Sequence, residues 1–181
     1  MLYSELQCSE AIHKAVERMG FAEMTEIQEK TIPLMLAGHD MIAKAPTGTG
    51  KTCAFGIPVA EHIDPEKKYP QAVIMAPTRE LAQQIAEELT NLTYFMPEVQ
   101  VACVYGGANM EKQARRLAEG CQIVVATPGR LMDHYKHHSI DLAHVTQVVL
   151  DEADEMLNMG FYKDVRHIIE MMKARKALSM F

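Results

Sequence analysis

Ala45-Pro46-Thr47-Gly48-Thr49-Gly50-Lys51-Thr52 decides how this chain is read. Gly48 and Gly50 allow a tight loop whose backbone N–H groups point inward at phosphate oxygens. The helix expected to follow adds its positive N-terminal end. Lys51 can reach the β- and γ-phosphates, and the Thr52 hydroxyl can ligate Mg²⁺. Ala45 stands where the generic pattern has its first Gly. The strand-like segment 40–44 precedes the loop and an apolar run from Cys53 to Ile57 follows it. That is the strand–loop–helix setting the chemistry needs; taken alone, an ordinary strand-to-helix turn has a similar look.

Working outward, Asp151-Glu152-Ala153-Asp154 closes a second apolar run, Val148-Val149-Leu150. Carboxylates just past the C-terminal end of a buried strand lie at the crevice where open α/β sheets bind ligands. Asp151 can hold Mg²⁺, usually through water, and Glu152 can orient or deprotonate an attacking water. Acidic residues also suit any helix N-terminus. The phosphate loop upstream favours the catalytic reading, and together the two segments put a nucleoside triphosphate and Mg²⁺ on one sheet edge.

Between and around them, β and α signals alternate. Strand candidates are 72–76, 99–105, 122–126 and 146–150, with a last one over 177–181. Helical patterns cover 5–20, with Ser9 as N-cap and Gly20 as stop, then 26–36, 80–92 and 111–118. This alternation predicts an α/β fold with a mostly parallel sheet and helices on both faces. The stretch Asp64-Pro65-Glu66-Lys67-Lys68 reads as a charged surface loop, and no internal repeat or linker interrupts the pattern.

Composition agrees with one globular enzyme domain: 181 residues, 48% hydrophobic and 23% charged. A formal net charge of −6 argues against a uniformly basic nucleic-acid surface, though not against a local one. Cys8, Cys53, Cys103 and Cys121 are scattered, without a C-x-x-C pair, and read as reduced cysteines of a cytoplasmic protein. Glu5 and Glu10 interrupt any signal-peptide pattern, and no apolar run approaches the ~20 residues of a membrane span, so no membrane role is expected. His134, His137 and His138 cluster in a way that could suggest a metal site, but a solvated helix end and loop is the preferred reading. The 14 methionines read as adaptable filler rather than a partner groove.

With these segments in hand, the chain resembles the N-terminal RecA-like domain of DEAD-box RNA helicases over essentially its whole length. Gly20-Phe21-Ala22-Glu23-Met24-Thr25-Glu26-Ile27-Gln28 resembles the Q motif, with Met24 where Pro is usual, and Tyr3 lies where the family has an isolated upstream aromatic. Ala45–Thr52 is similar to the family's phosphate loop, whose first residue is commonly Ala. Pro77-Thr78-Arg79-Glu80-Leu81-Ala82 resembles motif Ia, Gly106-Gly107 the GG doublet, Thr127-Pro128-Gly129-Arg130 motif Ib, and Asp151–Asp154 motif II.

The resemblance implies a RecA-like P-loop fold, with residues 1–37 as a Q-motif region packed on an ATP-binding domain over 38–181. It implies that Gln28 reads the adenine edge with its amide, which both donates and accepts. Thr25 would help place Gln28 and the loop, and Phe21 would join the cofactor site. Tyr3 would stack on the base or, alternatively, pack on the first helix. The whole loop, Ala45, Pro46, Thr47, Gly48, Thr49, Gly50, Lys51 and Thr52, would hold ATP; Thr52 and Asp151 would hold Mg²⁺; and Glu152, Lys51 and Asp151 would carry catalysis. Pro77, Thr78, Arg79, Gly106, Gly107, Thr127, Pro128, Gly129 and Arg130 would line a track reading RNA as a backbone shape, independent of sequence. Asp154 would couple the nucleotide site to motif III and a second RecA-like domain, both expected beyond Phe181. The implied parent is a monomeric ATP-dependent RNA helicase unwinding short duplexes, with the isolated chain nearly inactive. The alternative is a stand-alone ATP/RNA-binding module without turnover. A DNA helicase or generic P-loop ATPase fits the Q motif and motif II less well.

Overall fold

The molecule, seen as a computed structural model describing residues 1–46 and 48–181, is built on six parallel strands. They are β1 (Met41–Ile42), β2 (Ala72–Met75), β3 (Val101–Val104), β4 (Ile123–Ala126), β5 (Gln147–Leu150) and β6 (Ala177–Met180). Their order across the sheet is β1-β6-β5-β2-β4-β3. All the predicted strands form, most of them trimmed at their ends. β2, β4 and β5 are buried along their whole length, which is why their sequences are continuous apolar runs rather than alternations.

Helices α1 (Glu10–Arg18), α2 (Glu26–Leu36), α3 (Lys51–Glu61) and α4 (Arg79–Leu92) cover one face of the sheet. Helices α5 (Met110–Ala118), α6 (Pro128–Lys136), α7 (Ala153–Asn158) and α8 (Tyr162–Met171) cover the other. Successive strand residues divide between the two cores. Ala72, Ile74 and Ala76 point into the first, and Val73 and Met75 into the second. The N-terminal segment joins the first core through Tyr3, Leu6, Ile12, Val16, Ile32 and Met35.

Local sequence fixes the helix starts. Ser9, Thr78 and Asn109 each accept a hydrogen bond from the backbone three residues on, at Ile12, Leu81 and Lys112. The α3 helix is apolar almost all round because it lies between α2 and α4. A Cβ placed on its Gly56 would lie 2.7 Å from Leu92 Cδ1 and 3.1 Å from Leu89 Cδ2. Among the described residues no helix is long and apolar enough to cross a membrane.

Pro128 and Gly129 are the first residues of α6, with Thr127 at its N-cap position. One sequence expectation changes. His134 is fully buried, not part of a solvated helix end; its neighbours His137 and His138 are exposed. Its position on α6 faces the second core, and that helical phase was not read from the sequence.

Candidate functional site

The strand order puts the phosphate loop, motif II and the three expected RNA-facing segments on the C-terminal edge of the sheet, in two groups. The phosphate loop leaves β1 and motif II leaves β5, with β6 between them. Segments Pro77–Arg79, Tyr105–Ala108 and Thr127–Arg130 leave β2, β3 and β4, with β4 between the other two.

In the first group, Gly48 and Gly50 both take positive φ, +82° and +81°, and Gly50 caps α3. Gly50 is required for a second reason: a Cβ there would lie 2.3 Å from Gln28 Nε2. Thr47 lies outside the described residues. Thr49 Oγ1 donates to Pro46 O at 2.7 Å and closes the loop on itself.

Residues 25–28 tie the N-terminal segment to this loop. The Thr25 N–H donates to Gln28 Oε1 at 2.9 Å, one half of a capping box at the start of α2. Thr25 Oγ1 donates to Thr49 O at 2.8 Å and Gln28 Nε2 to Gly50 O at 3.1 Å. Tyr3 donates its hydroxyl to Gln28 Oε1, so that oxygen has its two donors and only one amide hydrogen stays open. Tyr3 itself is 5% exposed, and burial pushes its phenol well above the usual range. The base-stacking expectation for Tyr3 therefore gives way: its ring packs in the core and its hydroxyl holds Gln28. Phe21, at 44% exposure, is the aromatic of this segment with a free face.

Lys51 Nζ lies 3.4 Å from Asp151 Oδ1, joining the phosphate loop to motif II. Asp151 is 2% exposed, and burial raises its carboxyl against the opposing pull of Lys51. Glu152 has φ and ψ of 52° and 52°, a left-handed backbone that a non-glycine residue holds at a cost of about 1–3 kcal/mol. Its N–H donates to Asp151 Oδ1 at 3.1 Å. The next residue, Ala153, donates its N–H to Phe181 O, tying motif II to the end of β6. Asp154 is exposed and accepts from the Glu155 N–H. A cleft of about 680 Å³ opens here, lined by Lys44, Pro46, Lys51, Glu152, Asp154 and Phe181 among others.

Among the described residues, no group of three or more His, Cys, Asp or Glu side chains converges on a metal position. Mg²⁺ needs fewer protein ligands, because it keeps several waters and shares the phosphates of its substrate. The hard oxygens of Thr52 and Asp151 suit such a site. Glu88 of α4 was not singled out by sequence. It lies against the Thr52 hydroxyl; burial raises its carboxyl, the Thr52 hydroxyl opposes this, and the charge of Asp151 adds to the rise.

In the second group, Arg79 is exposed and its guanidinium sits 4.7 Å from the centroid of Tyr105, a cation–π contact. Gln83 Nε2 donates to the Tyr105 hydroxyl at 3.1 Å. Gly106 and Gly107 are exposed, Gly107 with φ +83°. Thr78 caps α4 through its side chain, Thr127 occupies the N-cap position of α6, and Gly129 lies in the first turn of α6. Pro77 and Pro128 are buried and shape the loops from beneath. Arg130 is not the free cation that was expected. Its Nη1 donates to Ala108 O at 2.9 Å and to Gln113 Oε1 at 3.1 Å, and its Nε faces Asp133 at 3.7 Å.

Comparison with known proteins agrees with this layout. A family model described as DEAD/DEAH box helicase matches residues 25–181. The chain is 51% identical to the ATP-dependent RNA helicase CshA of Listeria monocytogenes, covering 99% of this chain and 34% of that protein. It is 43% identical to the ATP-dependent RNA helicase DeaD of Escherichia coli, covering 99% of this chain and 28% of that protein. A DEAD box protein from Methanococcus jannaschii superposes with a TM-score of 0.91 at 40% identity, over 99% of this chain and 49% of that one. A hypothetical ATP-dependent RNA helicase from Sulfolobus tokodaii superposes with a TM-score of 0.86 at 40% identity, over 96% and 50%. The chain spans about a third of the length of the curated relatives it matches.

Proposed function

The chain belongs to the DEAD/DEAH box helicase family, and from that premise we propose that it is the ATP- and RNA-binding RecA-like half of an ATP-dependent RNA helicase. Residues 1–37 form its Q-motif region and residues 38–181 its nucleotide-binding body. The observation that carries the reading is the Lys51–Asp151 contact of 3.4 Å, which brings a phosphate-binding cation and a buried carboxylate together below one cleft. The names of the relatives favour turnover in the parent protein over a binding module without it.

In this reading the loop amides and Lys51 cradle the β- and γ-phosphates, and Phe21 stacks on the adenine. Gln28 offers the base its remaining amide hydrogen while holding the loop at Gly50. Thr52 and Asp151 would hold Mg²⁺, which supplies charge neutralisation on the phosphate oxygens. Glu152 orients the attacking water and accepts its proton. Asp154 couples this site to the second RecA-like domain. Thr78, Arg79, Gly106, Gly107, Thr127 and Gly129 face the RNA backbone without reading its sequence, with Arg79 as the leading cation. A monomeric, cytoplasmic protein is part of the same reading, and the four free thiols suit the second half of it.

Calorimetry with ATP and GTP, with and without Mg²⁺, tests the nucleotide half. ATP should bind more tightly than GTP and more tightly with Mg²⁺, and Lys51→Ala should weaken binding by at least about tenfold, as expected for loss of one charge-assisted contact. Equal binding of ATP and GTP would remove adenine recognition, and Lys51→Ala without effect would remove the phosphate site.

A further inference from the structure

A buried polar hub lies beneath the second group of loops, and its centre, Gln113, belongs to none of the family motifs. Gln113 of α5 is 8% exposed. Its Nε2 donates to the carbonyl of Tyr105 at 3.0 Å. That contact fixes which end of the amide is which, since the opposite placement would set two carbonyl oxygens face to face. Gln113 Oε1 then accepts twice, from Arg130 Nη1 and from His134 Nε2, both at 3.1 Å. Arg130 Nη1 also donates to Ala108 O, so the hub grips the glycine doublet at both ends, Tyr105 and Ala108. Tyr105 in turn carries the Arg79 guanidinium on its ring.

His134 completes the hub in one protonation state only. Donation from Nε2 leaves the fully buried Nδ1 bare, without a partner among the described residues. A second proton there would meet neither acceptor nor solvent, and it would sit beside Arg130. Burial first, and Arg130 next, accordingly hold the imidazole below its usual range, opposed by Asp133 and helped by His137. A buried ring nitrogen without a partner is a loss that a leucine at this position would avoid. What the imidazole supplies is a fixed donor to Gln113.

We propose that Gln113, locked by the neutral His134, is a positioning residue for RNA binding: it sets the glycine doublet and Arg79 in the geometry that meets the phosphate backbone. The proposal rests on the reading of the second loop group as the RNA face. Gln113 itself touches no RNA; it acts through the Tyr105 and Ala108 segment.

The test is anisotropy with a fluorescein-labelled oligouridine at low salt, beside ADP affinity and thermal midpoint, on the chain and five variants. Arg79→Ala reports on the RNA face. Gln113→Met removes the hub at nearly constant length, and Gln113→Glu keeps the acceptor for Arg130 and His134. His134→Leu removes the donor, and His134→Gln keeps an N–H. Gln113→Met removes one charge-assisted and two neutral hydrogen bonds and should weaken RNA binding about five- to tenfold, with ADP affinity unchanged. Gln113→Glu sets an oxygen against the Tyr105 carbonyl in place of the amide donor, so it should also weaken RNA binding with ADP affinity unchanged; RNA binding by Gln113→Glu equal to that of the unaltered chain would overturn the Tyr105 grip. His134→Leu should weaken RNA binding without lowering the thermal midpoint, and His134→Gln should restore it. If Arg79→Ala weakens RNA binding and Gln113→Met does not, the positioning role is overturned while the RNA face stands. Equal losses of RNA and ADP affinity in Gln113→Met also overturn it. If that variant does not fold, the His134 pair decides: equal RNA affinities there overturn the proposal. No RNA binding by the unaltered chain, or none lost in Arg79→Ala, overturns the RNA-face reading and the proposal with it.

Discussion

Glu152 is one of two non-glycine residues with positive φ among the described residues, His138 being the other. Its strained backbone aims a carboxylate at the cleft from a position where a relaxed strand-to-helix turn would direct it elsewhere. Glu152→Gln keeps size and backbone, so nucleotide binding should persist while ATP turnover of the parent protein falls by about 10²–10⁴, the usual worth of a positioned base. Single-turnover hydrolysis alongside nucleotide affinity measures both, and unchanged turnover would locate the base elsewhere. Three residues that the sequence singled out lie together in the structure: Lys51 and Glu152 line one cleft, and Asp151 pairs with Lys51 beneath it. What was not legible was commitment. Gln28 and Arg130 were read as groups open to ligands, yet each is largely satisfied by protein acceptors and donors. Spacing along the chain does not reveal whether a long polar side chain turns outward or inward. Gln113 could have been found, since it shares with Leu117 the i,i+4 buried stripe of α5, where a polar residue needs partners.

At the scale of elements, the phosphate loop runs into α3, an apolar helix packed between α2 and α4. Gly56 leaves room on α3 for the fully buried Leu89 and Leu92 of α4. Gly56→Val should lower stability by about 1–3 kcal/mol through overpacking, read as a fall in the urea midpoint with an unchanged slope. A neutral or stabilising result would mean that the two leucines repack without strain. The central strands were recovered as short continuous apolar runs and the amphipathic helices from periodicity, because in each the burial is written along the chain. Helices α6, α7 and α8 were not read as such. α7 is short and opens on the acidic residues that were assigned to catalysis, and α6 begins on Pro128-Gly129, which reads equally well as a turn. The pairing of β1 with β6 rather than β2 is a matter of strand order, which local pattern does not contain.

Over the whole molecule, the four thiols act together. Burial is the first cause in each case: Cys8, Cys103 and Cys121 are pushed up to about 11 and Cys53 to about 12, from an ordinary value of 9.0. The folded chain therefore holds these protons more tightly than the unfolded one. Their contribution to stability is intact below pH 9.0 and is lost as pH rises through 11 and 12. Urea midpoints compared on either side of pH 9.0 should fall on the alkaline side, and native thiols should alkylate slowly until the chain unfolds. A flat alkaline profile with rapid native alkylation would contradict the burial assigned to them.

The sheet edge carries the nucleotide group on β1, β6 and β5 and the second loop group on β2, β4 and β3. In the proposed mechanism one domain binds both ligands but cannot complete either site, because the γ-phosphate faces a cleft that a second domain must close. In other phosphoryl-transfer enzymes an arginine supplied across such a cleft is worth about 10³–10⁵ in rate. RNA can stimulate turnover only by favouring a closed two-domain state, and a single domain has no such state to select. The most direct measurement is steady-state ATP hydrolysis by residues 1–181, with and without RNA, beside the same chain joined to a second RecA-like domain. The account predicts that both bind nucleotide and that only the joined protein shows RNA-stimulated hydrolysis. Equal RNA-stimulated turnover by residues 1–181 alone would contradict it.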